Sequence, residues 1–216
     1  MPRFTTYIFD LDGTLIDSAP AILASFRQAF AQTGTPVERP IESDIIGPPL
    51  KETLEMISGT TDAAVIETLT EAFKAAYDGG GLNATTAYAG VDTMLKALKA
   101  AGTRLHIATN KRLHPTGKIL EMLGWGDLFD TVYALDMTTP RLPTKAAMIA
   151  RQLADLKLSS ADTAYIGDRA EDGESADANA LAFFAATWGY GALTPEALRD
   201  GWTHLPSPDA NILLGH

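Results

Sequence analysis

Two aspartates one residue apart, Asp10 and Asp12, close the apolar run of "IFDLDGT", with Gly13 directly behind them. Carboxylates this close at the end of a buried segment repel one another, and each is driven toward its neutral form unless a cation sits beside it. Three other short segments carry matching chemistry: Thr109, Asn110 and Lys111 in "HIATNK", Lys145 at the head of "KAAMIARQL", and Asp168 and Asp172 in "IGDRAED". Brought to one crevice, four carboxylates, a hydroxyl and an ammonium form a site for a hard cation and a phosphate. Oxygen ligands with no His or Cys among them suit Mg²⁺, which favours carboxylates, retained waters and a substrate phosphate. Asp10 can then attack phosphorus to give an aspartyl-phosphate that water later removes. Asp12 can protonate the leaving oxygen and afterwards activate that water. Thr109, the Asn110 amide and Lys145 can hold phosphoryl oxygens and offset charge in the transition state.

Each fragment alone has a plainer reading. Asp-x-Asp-Gly is commonly a polar turn or a calcium loop, but Thr14 and Leu15 stand where that loop needs Asp or Asn and then Gly. "GDRAED" alone suits a helix N-terminus, where acidic residues favour the dipole. A lone lysine is usually solvated. The joint pattern, in this order along the chain, is what carries the reading. The histidines offer no competing site: His106 falls inside an apolar run, His114 is near Asn110, and His204 and His216 are C-terminal. The chain has neither a Gly-x-x-x-x-Gly-Lys phosphate loop nor a Gly-x-Ser-x-Gly elbow.

Apolar runs must place these groups, and the runs alternate with segments of helical period. "TYIFDL", "TRLHIAT" (103–109), "TVYAL" (131–135), "DTAYIG" (162–167) and "LAFFAAT" (181–187) read as buried strands. Helices are expected near 91–101, 115–123, 145–155 and 171–179. That alternation predicts an α/β, doubly wound parallel sheet with right-handed crossovers, covered on both faces. In such sheets ligands collect at the carboxyl ends of the strands, where all four segments fall. The span 18–85 breaks the rhythm. Ser18 is a candidate cap for a helix reaching about Gln32, with Pro20 in its first turn and Gly34 beyond its end. Two more helices are expected near 50–58 and 62–77, and no strand. The expected organisation is therefore a core of residues 1–17 and 86–216, with 18–85 inserted as an all-helical domain. "LPSPDANILLGH" reads as a tail whose order the sequence leaves open.

Composition bounds the partners. The 216 residues carry 17 Lys plus Arg against 27 Asp plus Glu, a formal charge of −10. An acidic chain disfavours a nucleic-acid polymer or an anionic membrane as main partner. There is no cysteine, which excludes disulfides and thiolate metal sites. With no charged-then-apolar leader after Met1 and no long apolar span, the expected location is cytoplasmic. Oligomeric state is not readable from the sequence.

"FDLDGTLIDS", "ATN", the lysine in "RLPTKAAMI" and "IGDRAED" resemble, in order, the four motifs of the haloacid dehalogenase superfamily. The long first motif, with "IGPPLKETL" (46–54) and the run from 167 to 191, is similar to its phosphoglycolate phosphatase-like and 5′-nucleotidase-like branch. The resemblance implies a Rossmann-like core with a helical cap, and a phosphatase of small phosphorylated metabolites. It implies Asp10 as nucleophile, Asp12 as general acid and base, and Thr109 and Lys145 as phosphoryl-binding groups. Mg²⁺ would be held by the Asp10 carboxylate, the Asp12 main-chain carbonyl and Asp168, with Asp172 direct or through water. Gly47, Pro48 and Lys51 become candidates for the substrate-facing edge of the cap, and Gly13 and Asn110 line the phosphate site. The third motif lacks the Lys-Pro-x-Pro form, so Arg141 competes with Lys145 for its role. A sugar-phosphate mutase is disfavoured because its cap-hinge histidine falls near Ile22. A non-catalytic scaffold is disfavoured because clustered, unpaired carboxylates are costly.

Overall fold

A computed structural model describes residues 3–191 and 193–215; His216 lies outside the described residues. Two compact units form: Ser18–Thr86, and the chain on either side of it. Among the described residues no helix is long and apolar enough to cross a membrane. The chain enters through β1 (Thr6–Phe9), buried along its length, and leaves for the helical unit through the two-residue strand β2 (Ile16–Asp17).

The helical unit consists of α1 (Ala19–Thr33), α2 (Leu50–Ser58) and α3 (Ala63–Asp78), with short 3₁₀ turns at Ser43–Ile45 and Gly81–Ala84. Residues 18–85 contain no strand. Pro20 sits in the first turn of α1, and Gly34 ends the helix at φ 68, a conformation glycine adopts without a Cβ penalty. Ser18 takes the N-cap position but makes no side-chain capping bond, so its expected capping role is not met. Asp62 does cap α3, accepting from Ala64 and Val65 N–H groups. Phe26 of α1 and Phe73 of α3 pack with ring centroids 4.4 Å apart, and Tyr77 stacks on Phe73 at 5.5 Å.

The other unit resumes at Ala87, the second residue of β3 (Thr86–Ala87), which pairs with β2, and continues α4 (Val91–Ala100), β4 (Arg104–Thr109), α5 (Leu113–Met122), β5 (Thr131–Ala134), α6 (Lys145–Leu156), β6 (Thr163–Gly167), α7 (Ala170–Asp177) and β7 (Ala182–Ala186). Two further elements follow that the sequence pattern does not announce, the second of them within the C-terminal stretch whose order the sequence leaves open. β8 (Trp202–Leu205) adds a sixth strand beside β7, and α8 (Ala210–Leu214) follows, capped by Asp209. His204 is accordingly a strand residue, with Nε2 2.8 Å from the Thr187 hydroxyl.

The sheet order is β5-β4-β1-β6-β7-β8, every pair parallel, which is the expected doubly wound α/β core. Successive residues of β1 serve opposite faces. Ile8 joins a cluster with Ala108, Met148, Ile149, Tyr165 and Phe183. Tyr7 and Phe9 pack the other face, where the Tyr7 hydroxyl donates to the Leu213 carbonyl at 2.7 Å and Phe9 meets Phe129 edge-on. With both faces covered, strands read as continuous apolar runs. The order also decides where chemistry can sit: β1 is central, flanked by β4 and β6, so the chain ends emerging from these three strands share one crevice at the topological switch.

Candidate active site

Beyond Phe9 the chain turns tightly. The Asp10 N–H still donates to the Ile166 carbonyl at 2.9 Å, continuing the sheet, while the N–H groups of Leu15 and Ile16 both turn back to the Leu11 carbonyl. Gly13 holds φ +84, and a Cβ there would collide with the Asp168 carboxylate; the turn therefore requires glycine for its conformation and for space. A Cβ on Gly189 would likewise collide with the Gly13 carbonyl and with Asp168, and the neighbouring Trp188 indole donates to the Thr14 carbonyl at 2.9 Å. Two backbone segments are thus pressed around one buried carboxyl group.

Three carboxylates meet here: Asp10, Asp168 and Asp172 each offer an oxygen within 4.8 Å of the others. Asp10 stands at the end of β1, Asp168 at the end of β6, and Asp172 in the first turn of α7. The Lys145 ammonium lies among them, 2.5 Å from Asp172 Oδ1 and 3.3 Å from Asp10 Oδ2, with only 2% of its side chain exposed. Lys145 opens α6, where the helix dipole opposes a cation; the two carboxylates are what hold it there. Burial works against the ammonium, yet Asp10 and Asp172 keep its pKa well above the ordinary lysine value. Burial pushes the Asp10 carboxyl up to about 7, against the pull of Lys145 and with the help of Asp172 and Asp12. Asp168 is likewise raised well above the usual range, first by burial and then by Asp172 and Asp10.

The oxygens divide unequally. Asp168 Oδ1 accepts from the Thr14 hydroxyl at 3.2 Å. Asp172 uses both oxygens, Oδ1 for Lys145 and Oδ2 for the Arg169 N–H at 3.0 Å. Asp10 Oδ1 and Asp168 Oδ2 are buried and take no hydrogen bond from any described residue. Orphaned buried acceptors call for a partner. Three carboxylates against one ammonium leave a formal −2, which a divalent cation held by hard oxygen ligands would balance. The donor set fits that ion.

Thr109 ends β4, and Asn110 follows it. The Thr109 hydroxyl accepts from the Lys111 N–H at 3.2 Å. The Asn110 amide donates to both oxygens of Glu171, at 3.2 Å each. Asp12 points its carboxylate at Lys111 Nζ, 2.9 and 3.2 Å away. Arg141, in the loop before α6, is exposed, whereas Lys145 is buried against Asp10. Gly47 and Lys51 belong to the helical unit: Gly47 turns at φ 128, and Lys51 is an exposed residue of α2 facing Glu55 at 3.6 Å. Among the histidines, His106 is buried in β4 with Nδ1 against the Thr131 hydroxyl at 2.9 Å, and His114 is exposed on α5. Thr14, Lys111, Glu171 and Trp188 all support the cluster without having been assigned a role from sequence. Thr14 and Glu171 lie inside the first and last motifs, and Lys111 directly follows the second, but only the fold pairs them.

The sequence profile of the haloacid dehalogenase-like hydrolases matches residues 7–186. The chain is 35% identical over 185 residues to "Tyrosine-protein kinase PtkA" of Mycobacterium tuberculosis, covering 85% of this chain and 62% of that protein; it thus spans under two thirds of the length of that relative. It is 32% identical over 188 residues to a phosphoglycolate phosphatase of Cereibacter sphaeroides, covering 85% of each. A predicted phosphatase from Clostridium acetobutylicum superposes with a TM-score of 0.82 over 94% of both chains at 27% identity.

Proposed function

The chain belongs to the haloacid dehalogenase-like hydrolases, and from that premise we propose that it is a Mg²⁺-dependent phosphatase of a small phosphomonoester, phosphoglycolate-like in class, working through an aspartyl-phosphate on Asp10. The observation that carries this reading is the Asp10 carboxylate itself. It sits at the end of the central strand with one oxygen 3.3 Å from Lys145 and the other buried without a partner among the described residues.

Attack requires Asp10 as the anion, and burial alone opposes that. Lys145 offsets the charge from one side. Mg²⁺, when bound by the Asp10 and Asp168 carboxylates, the Asp12 main-chain carbonyl and Asp172, supplies positive charge that lets a phosphate dianion approach and offsets the charge that develops on it. Asp10 and Asp168 each keep a buried oxygen without a donor among the described residues and would hold the metal directly; Asp172, whose oxygens also serve Lys145 and Arg169, would hold it directly or through water. Thr109, Asn110 and the Gly13 turn receive the phosphoryl oxygens. Asp12 protonates the departing alcohol and then deprotonates the water that cleaves the acyl phosphate. Lys145, rather than Arg141, is the third-motif cation in this reading, on the strength of its burial beside Asp10. In this reading the helical unit Ser18–Thr86 is the cap, and Gly47 and Lys51 are its candidates for reading the leaving group.

The test is hydrolysis of a panel of phosphorylated metabolites with Mg²⁺ and with chelator. Asp10→Asn should abolish turnover; retained hydrolysis would overturn the nucleophile. A nucleoside monophosphate turned over faster than phosphoglycolate would move the substrate class to 5′-nucleotides. The identity to PtkA favours a second reading, in which the phosphoryl group passes to a tyrosine hydroxyl instead of water. Label appearing in a tyrosyl peptide, with no inorganic phosphate released, would select it.

A further inference from the structure

Lys111 has no part in the scheme above, yet its ammonium is placed with care. Nζ lies across the fork of the Asp12 carboxylate, 2.9 Å from Oδ1 and 3.2 Å from Oδ2, with 6% and 13% of the two side chains exposed. Exposed ion pairs hold little in place, because solvent screens them and two flexible side chains must be ordered. This pair is shielded from solvent, and its lysine rises from a fixed base: the Lys111 N–H donates to the Thr109 hydroxyl. The link joins the end of β4 to the turn after β1 across 99 residues of sequence. A carboxylate gripped through both oxygens cannot rotate freely. The neighbouring phosphoryl-site cation, Lys145, contacts Asp10 and Asp172, so the two lysines address different carboxylates.

We propose that Lys111 is a positioning residue, which fixes the Asp12 carboxyl group in the orientation from which, in its protonated form, it passes a proton to the leaving oxygen. The inference rests on the proposed roles of Asp10 and Asp12. It makes a particular demand: removing Lys111 should matter in proportion to how much the leaving group needs a proton. An alkoxide leaves poorly without one, whereas p-nitrophenolate is a stable anion.

The experiment measures kcat/KM, which covers the steps through release of the alcohol, for 2-phosphoglycolate and for p-nitrophenyl phosphate. Lys111→Met, and Lys111→Gln as a second variant should the first fail to fold, should lose about tenfold or more on phosphoglycolate, the low end of a general-acid contribution being about 100-fold. On p-nitrophenyl phosphate the loss should be small. Lys111→Arg, which can still grip both oxygens, should recover part of the phosphoglycolate rate. Asp12→Asn should show the same selectivity more strongly. Equal losses on both substrates, as from a phosphate-binding or purely structural lysine, overturn the proposal, as does no loss on either. If Asp12→Asn lacks the selectivity, or the native protein hydrolyses neither ester, the functional reading itself falls and the inference with it. Selectivity in Asp12→Asn without selectivity in the Lys111 variants removes the inference alone.

Discussion

Replacing Lys145 with methionine tests the electrostatics of the cluster most directly. The substitution keeps side-chain length and removes one charge. Its ammonium contacts Asp172 at 2.5 Å and Asp10 at 3.3 Å, with all three side chains at most 6% exposed. Removing one partner of a buried ion pair leaves an uncompensated charge and typically costs about 3–5 kcal/mol. Protonation of Asp10, already raised to about 7 with the lysine present, relieves part of that, so about 3 kcal/mol is the expected loss in chelator at neutral pH. For a chain of this length each kcal/mol moves Tm by roughly 2–4 °C, giving a drop on the order of 10 °C. The formal charge of the cluster meanwhile passes from −2 to −3. Saturating Mg²⁺ should therefore raise Tm more in Lys145→Met than in the native protein. Thermal unfolding of both proteins, with Mg²⁺ and with chelator, reads both effects, and hydrolysis should fall about 100-fold or more even with the metal bound. A variant as stable as the native chain in chelator, or an equal Mg²⁺ increment in both, would refute the account of how these carboxylates are held.

Three further outcomes are expected. Gly13→Ala should abolish most activity, because its Cβ meets the Asp168 carboxylate. Gly34→Ala, also at positive φ but with nothing within 4 Å, should cost about 1 kcal/mol of stability and leave activity unchanged, so equal activities would contradict the Gly13 argument. Burial holds the His106 imidazole neutral down to about pH 4, so the unfolded chain binds the extra proton between about 6.5 and 4. His106 thus contributes stability that is full above the unfolded pKa and is lost as pH falls through this window, by up to about 3 kcal/mol. Asp10, raised to about 7, acts in the opposite sense over much of that range, so the measurement is the difference between native and His106→Gln urea-unfolding curves, and parallel curves would count against it. Trp188→Phe removes the donor to the Thr14 carbonyl and should weaken Mg²⁺ binding, read by titrating activity, with a stability loss near 1 kcal/mol; unchanged metal dependence would show that this loop does not support the site.

Much of the core was legible because strands buried on both faces leave continuous apolar runs, and the groups at the ends of such runs are fixed by period alone. Asp10, Thr109 and Asp168 were located that way. What stayed hidden depends on neighbours. "WTHL" has four residues and only its ends are buried, so it carries no alternation; it becomes β8 because β7 offers an unpaired edge. The two-residue strands β2 and β3 are too short to leave a pattern. Ser18 has the right residue type for a cap and the wrong geometry. The pairings of Thr14 with Asp168, Lys111 with Asp12 and Asn110 with Glu171 join residues 154, 99 and 61 positions apart, and no local signal announces them.

The central position of β1 has a consequence for how the chain comes to be folded. Its two partners begin at Arg104 and Thr163, against Thr6, so the first strand completed has the longest wait for both neighbours. At roughly 5–20 residues per second of synthesis, "TYIF" waits on the order of 5–20 s for β4 alone, as apolar, β-prone chain with nothing to cover it. Non-local pairing of this kind also slows folding from the full-length unfolded state. During that interval Asp10 and Asp12 flank the run as charges that disfavour pairing with another nascent chain, the role of gatekeepers beside an unavoidable hydrophobic strand. The aspartates proposed to perform the chemistry would thus have an earlier task, protecting the strand that carries them until the sheet closes around it.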